Sequence, residues 1–210
     1  MDGVSSFPRA ELDRSAATET IWLYEMLLGE SWSNVASAVQ RAHPRELPIE
    51  RIGSFDITHG CGFLAWILGR FSKLPAAGRA VPTRLRVERV GNCEIWHRTF
   101  GTFPLESTQH VPCAGVLVEH FGSLIFRFKV QVRDGGIHFQ QTRVSIRVGR
   151  CELPLPSWLG PRVDAQEMPE ETENQTRVRV TVRLPIVGLL IDYQGRIEQP
   201  EIVARGEVSK

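Results

Sequence analysis

The chain has 210 residues, 42% of them hydrophobic and 23% charged, a balance that excludes a wholly disordered chain and supplies enough apolar side chain for a sizeable core. Its 25 Lys and Arg offset 24 Asp and Glu, so no bulk field draws it to DNA, RNA or anionic lipid, and no nucleic-acid partner is expected. The four cysteines Cys61, Cys93, Cys113 and Cys151 make no C-x-x-C pair, and no apolar run approaches the roughly 20 residues of a membrane helix. The expectation is a cytoplasmic protein with reduced thiols, no transmembrane segment and no cofactor.

Residues 1–17 are polar and read as a flexible N-terminal arm. Over 18–45 the pattern turns helical: Ile21, Tyr24, Leu27 and Leu28 recur at three- and four-residue spacing, then Trp32, Val35, Ala36 and Val39 do so after a break at Gly29. Pro44 ends this helical region, and the extended stretch "IERIGSFDIT" follows. A second helix is expected over 61–75, with Phe63, Leu64, Ile67, Leu68 and Phe71 on one face. Packing on a sheet is the plain account of that face, a flap over a pocket or a membrane-surface contact the functional one.

From residue 83 the alternation has period two. Nine strands are predicted, at 83–90, 93–100, 102–109, 113–121, 124–133, 137–148, 162–168, 176–184 and 187–198. Pro154, Pro156 and Pro161 mark a structured crossing, "MPEETENQT" an exposed turn with nothing to bury, and 201–210 a frayed C-terminus. The fold class is α+β over one domain, 18–200. It consists of a strongly curved antiparallel sheet or barrel-like meander of eight or nine strands, with the N-terminal helices packed on it or capping it.

Glycine turns fix the register, because a two-residue hairpin decides which residues face each other. A turn at Gly91-Asn92 pairs Val87 with Trp96 and Leu85 with Arg98, which sets Arg98 on the apolar face with Trp96 and Phe100. A turn at Gly122-Ser123 pairs Glu119 with Phe126 and Leu117 with Phe128, so Glu119 also points inward. If Gly135-Gly136 turns in the same way, Phe139, Gln141 and Arg143 join that face; a three-residue turn buries Val144, Ile146 and Val148 instead, and a bulge partway along reconciles the two. Of Asp192 and Tyr193 in "GLLIDYQGRIE", one faces inward. A lone buried charge is costly, so Arg98 and Glu119 are expected to meet, either as a core ion pair or as the polar floor of a pocket.

His59-x-Cys61 has no second pair of suitable spacing, so no metal site is expected. His97, His120 and His138 fall on outer or undetermined faces, and no standard catalytic motif is present. The stretches "GFLAWILGRFSKLPAAGRAVPTRLRVER", "EIWHRTFG", "VEHFGSLIFRF", "LPLPSWLGPRVDAQE" and "LPIVGLLIDYQGRIE" together resemble the bacterial domain of unknown function 4166 family, found alone or C-terminal to saccharopine-dehydrogenase-like reductases. The resemblance runs from about Trp22 to Glu198 and carries no established activity; it implies that any reductase partner is a separate protein. Three functions stay open. The first is binding of an apolar or amphipathic small molecule in a β cup lined by Trp96, Arg98, Phe100, Glu119, Phe126, Phe128, Gln141, Arg143 and Tyr193. The second is a cofactor-independent isomerase or cyclase with Glu119 as acid or base and Arg98 as oxyanion stabiliser. The third is a protein-interaction module.

Overall fold

The period-two segments become strands in the computed structural model, which describes residues 22–61, 74–171 and 175–198. The strands are β1 (Ile49–His59), β2 (Gly78–Val90), β3 (Cys93–Phe100), β4 (Phe103–Cys113), β5 (Val116–Phe121), β6 (Leu124–Arg133), β7 (Gly136–Val148), β8 (Cys151–Pro154), β9 (Arg162–Pro169), β10 (Gln175–Leu184) and β11 (Gly188–Glu198). Each of the nine predicted strands is present. The extended stretch before residue 60 forms β1, and the proline-rich crossing begins with a short strand, β8, that the sequence did not announce.

From β1 to β7 every strand pairs antiparallel with the next; β9, which also pairs with β7, leads through β10 and β11 back to β1. Ten strands therefore close into an up-and-down barrel, and β8 hangs on the far half of β7 outside the closure. Closure gives each of those ten strands a partner on both sides. It also demands strong curvature where β1 meets β11. There Gly195 lies opposite Phe55, and a Cβ at residue 195 would run into the Ser54 carbonyl and the Phe55 ring. Glycine is what lets the two backbones approach.

The N-terminal pattern becomes α1 (Leu23–Leu28), a 3₁₀ segment (Gly29–Asn34) and α2 (Ser37–Ala42), bent at Gly29 with φ 52°. Tyr24, Leu27, Leu28, Val35 and Val39 are buried, as their spacing requires. The helices cap the barrel end that carries the β4–β5 and β6–β7 turns: Gly115 N–H donates to the Leu27 carbonyl at 2.7 Å, and Ala36 N–H to the Gly135 carbonyl at 2.8 Å. Thr176 corrects the reading of "MPEETENQT" as a turn with nothing to bury. It is fully buried against α2, and its hydroxyl donates to the Ala38 carbonyl at 3.2 Å. Apart from Cys61, Leu74 and Pro75, the helix expected over 61–75 lies outside the described residues, as do the expected N-terminal arm and frayed C-terminus. No described helix is long and apolar enough to cross a membrane.

Inside the barrel the apolar side chains divide into two clusters. Leu27, Val39, Val87, Trp96, Leu117 and Ile137 belong to a large one under the helices, while Phe55, Ile57, Phe100 and Ile191 form a smaller one.

Candidate functional site

The barrel interior is not filled. A cavity of about 370 Å³ lies inside it, walled by Phe55, Leu85, Trp96, Phe100, Phe126, Phe128 and the inward residues of β10 and β11. Ten strands enclose a wider lumen than eight, and eight already suffice to hold a small ligand. Val178, Val180 and Val182 show the consequence: they point inward and line the cavity, yet they are only half-buried.

The β2–β3 hairpin follows the two-residue reading, with Val87 opposite Trp96 and Leu85 opposite Arg98. The β5–β6 hairpin does likewise, with Glu119 opposite Phe126. Gly91 and Gly122 adopt φ values of 60° and 55° at the first turn position, the conformation a II′ hairpin requires there. Arg98 and Glu119 consequently face inward from strands separated by β4, and they meet across it. Arg98 Nη2 donates to Glu119 Oε1 at 3.5 Å, and Nη1 to Ser107 Oγ at 2.8 Å. Ser107 Oγ donates in turn to Glu119 Oε1 at 2.6 Å, and Gln109 Nε2 to the same oxygen at 3.2 Å. The guanidinium lies over Trp96, 5.1 Å from the ring centroid, a cation–π contact that helps hold it on the apolar wall.

Ser107 and Gln109 were missed in the sequence although the signal was there. A two-residue turn at Gly101-Thr102 pairs Phe100 with Phe103, Leu105 with Arg98 and Ser107 with Trp96, which puts both polar side chains of β4 on the inner face.

A second polar group sits where the helices cover the barrel. The His43 ring lies 3.8 Å from that of Tyr24, and its Nε2 is 2.5 Å from Glu167 Oε2. Tyr24 and Glu167 also line the cavity. Burial, reinforced by the Glu167 charge, raises the Tyr24 hydroxyl well above its ordinary value. Beneath Trp96, Glu94 is 3% exposed and accepts from Arg89 at 3.4 Å; burial outweighs that partner and raises its carboxyl. Glu167 follows Val163 and Ala165 at period two, so its inward direction was legible, whereas no local pattern joins it to His43.

Tyr193 is the inward member of its pair, with its ring 5.3 Å from Phe100, and burial pushes its hydroxyl up to about 12. Asp192 faces outward and accepts from Thr181 Oγ1 at 2.5 Å and Arg179 Nε at 3.2 Å.

Seven of the nine predicted site residues line the cavity: Trp96, Arg98, Phe100, Glu119, Phe126, Phe128 and Tyr193. Gln141 and Arg143 do not. Gln141 sits opposite Phe128, but its amide is spent within the wall: Nε2 donates to the Pro161 carbonyl at 2.9 Å and Oε1 accepts from Val163 N–H at 2.7 Å. Arg143 is exposed on the outer face. The turn falls at Asp134-Gly135, with Arg133 paired to Gly136, and the β6–β7 register shifts between Arg127 and Phe128. That bulge makes Thr142 the extra residue, turns Arg143 out and brings Val144 in.

His97 lies between Glu88 and Glu106 on the outer face, and His120 stacks on His110 with ring centroids 5.4 Å apart. The His59 ring nitrogen is 2.8 Å from the Pro75 carbonyl. Among the described residues no group of three His, Cys, Asp or Glu side chains is arranged to hold a metal ion.

Among solved structures, the chain is similar to a secretary abundant heat soluble protein from Ramazzottius varieornatus, with a TM-score of 0.36 and 6% identity, covering 71% of this chain and 93% of that one. This likeness is too distant to bear on function. No curated protein matches the chain. The model of a family described as a domain of unknown function, DUF4166, matches residues 36–197, most of the barrel together with α2, and the chain belongs to that family.

Proposed function

We propose that the barrel binds an apolar or amphipathic small molecule in its interior, with the molecule's polar end against Arg98, Ser107, Gln109 and Glu119. The observation that carries this reading is the combination of a cavity of about 370 Å³ with mostly apolar walls and a concentrated polar station at Arg98, Ser107, Gln109 and Glu119. A mostly apolar concavity with a few convergent polar groups is the usual form of a small-molecule site, where apolar area supplies affinity and the polar groups set orientation. Burying one apolar wall of a ligand is worth about 25 cal/mol per Å² removed from water, before the cost of immobilising it. The isomerase or cyclase reading has no specific observation behind it. Glu119 Oε1 is already the acceptor of three hydrogen bonds, an arrangement that holds a carboxylate in place.

The test is a fluorescence titration with N-phenyl-1-naphthylamine, a neutral apolar dye. Wild type is expected to bind one dye saturably, and Val180→Trp, which pushes an indole into the cavity, to weaken binding at least tenfold while keeping the native circular dichroism spectrum. No saturable binding to wild type, or unchanged binding in a folded Val180→Trp, would refute the interior as the site.

A further inference from the structure

Among the described residues the charged groups lining the cavity are unequal in number: one guanidinium, Arg98, and two carboxylates, Glu119 and Glu167. Arg98 is already engaged by Glu119 and Ser107, and Glu167 by His43. The lining therefore carries one negative charge in excess when His43 is neutral and none when it is protonated. Among the described residues there is in neither state a cation to spare. Glu94 and Arg89 below Trp96 form their own pair and do not alter that balance.

The uncharged groups tilt the same way. Gln109, 5% exposed, commits its Nε2 to Glu119 and leaves its buried Oε1 without a hydrogen-bond partner among the described residues. An unsatisfied buried acceptor is unfavourable, and a donor supplied by a ligand would relieve it. The station's free acceptors are Gln109 Oε1 and the carboxylates, against the remaining capacity of the Arg98 guanidinium; the Trp96 indole N–H, a buried donor without a hydrogen bond among the described residues, acts on Glu94, which does not line the cavity.

A ligand carboxylate can only accept, and it would add a third negative charge to this wall. An ammonium would offset the excess charge, but it must shed its hydration in a cavity whose two carboxylates already hold partners, a desolvation that burial makes costly. A hydroxyl both donates and accepts, and carries no charge. On the reading of the cavity as a ligand site, we infer that its ligand is a neutral amphiphile whose polar end is a hydrogen-bond donor of the alcohol type, and not a carboxylic acid.

The experiment is displacement of bound N-phenyl-1-naphthylamine from the full chain at about pH 8, where carboxylate and ammonium head groups are both ionised. The probes share one chain length: 1-decanol, decanoate, decylamine and 1-methoxydecane, which accepts but cannot donate. Expected is half-displacement by 1-decanol at a concentration at least tenfold lower than by decanoate or decylamine, and at least threefold lower than by 1-methoxydecane. Glu119→Gln, which removes the charge engaging Arg98, is expected to improve displacement by decanoate at least tenfold.

Decanoate or decylamine displacing wild-type dye as well as 1-decanol would overturn the inference, and this ranking does not depend on any variant folding. Equal displacement by 1-methoxydecane would overturn the donor requirement. These failures differ from failure of the binding reading itself, in which the dye would not bind wild type at all.

Discussion

Replacing Glu119 by leucine removes the one oxygen on which three donors converge: Ser107 Oγ at 2.6 Å, Gln109 Nε2 at 3.2 Å and Arg98 Nη2 at 3.5 Å. Ser107 and Gln109 are 2% and 5% exposed, and the Arg98 side chain 17%, so none of the three finds bulk water in exchange. Breaking a buried pair by deleting one partner costs about 3–5 kcal/mol. The neighbouring cavity gives the guanidinium some access to water, which places Glu119→Leu near the lower bound, about 3 kcal/mol. Arg98→Leu should cost less, about 2 kcal/mol, because Glu119 keeps Ser107 and Gln109 as donors. With both charges gone, only the neutral donors remain unsatisfied, and Arg98→Leu/Glu119→Leu should cost about 2 kcal/mol, well below the sum of the singles. Urea unfolding of the four proteins at neutral pH, followed by far-ultraviolet circular dichroism, gives the cycle, provided the m-values agree. Single losses below about 1 kcal/mol, or a double variant equal to the sum, would refute a coupled interior pair.

Three further expectations use other parts of the wall. Gln141→Leu strands the Pro161 carbonyl and the Val163 N–H and should destabilise by about 1–3 kcal/mol, whereas Arg143→Ala on the outer face should stay within about 0.5 kcal/mol; a denaturant series in which the two exchange rank would contradict the bulge at Thr142. Burial raises the hydroxyls of both tyrosines, Tyr24 and Tyr193, the latter from 10.0 to about 12. The folded state thus holds these protons more tightly, and the resulting stabilisation is complete below about pH 10; the share from Tyr193 is lost as pH rises through about 12. Tyrosinate difference absorbance at about pH 11 should be absent from the native protein and present for the urea-unfolded chain; equal ionisation in both states would place the phenols in solvent. Gly195→Ala presses a methyl group onto Ser54 and Phe55 at the β1–β11 closure and should destabilise by about 1–3 kcal/mol, with an unchanged denaturation midpoint as the contrary result.

How far the sequence was legible depends on what fixes each position. The Gly91-Asn92 and Gly122-Ser123 hairpins are local: two residues decide the pairing of the strands they join, and Arg98 and Glu119 were placed inward from them alone. The β6–β7 hairpin also has a two-residue turn, Asp134-Gly135, of type I′ with φ values of 50° and 72°, but three consecutive candidates, Asp134, Gly135 and Gly136, blur where it falls. Parity still put Phe139 and Gln141 inward. The bulge then reversed parity beyond Thr142, and nothing in "QQTRVSI" marks it except that Val144 and Ile146 are apolar where the uninterrupted register would have exposed them. Turn chemistry therefore carries register only until the first bulge, and burial of the apolar residues beyond it decides the rest.

Long-range placement obeys a different limit. His43 meets Glu167 across 124 positions of chain, and no periodicity relates a residue just past α2 to one on β9. What brings them together is closure: the helices cap the barrel end where β9 and β10 pack against α2, and Thr176 is buried there under the Ala38 carbonyl. The same closure turns an apolar strand face into a wall around empty space. Alternation in "TRVRVTVRL" says that Val178, Val180 and Val182 share a face; it cannot say whether that face meets packed side chains or a cavity. Strand number bears on that distinction, since ten closed strands enclose a wider lumen than eight or nine. The two strands least visible in the sequence affect the interior unequally. β8 lies outside the closure and changes nothing within, whereas β1, read only as a short extended stretch, completes the ring and makes the interior hollow enough to hold a ligand.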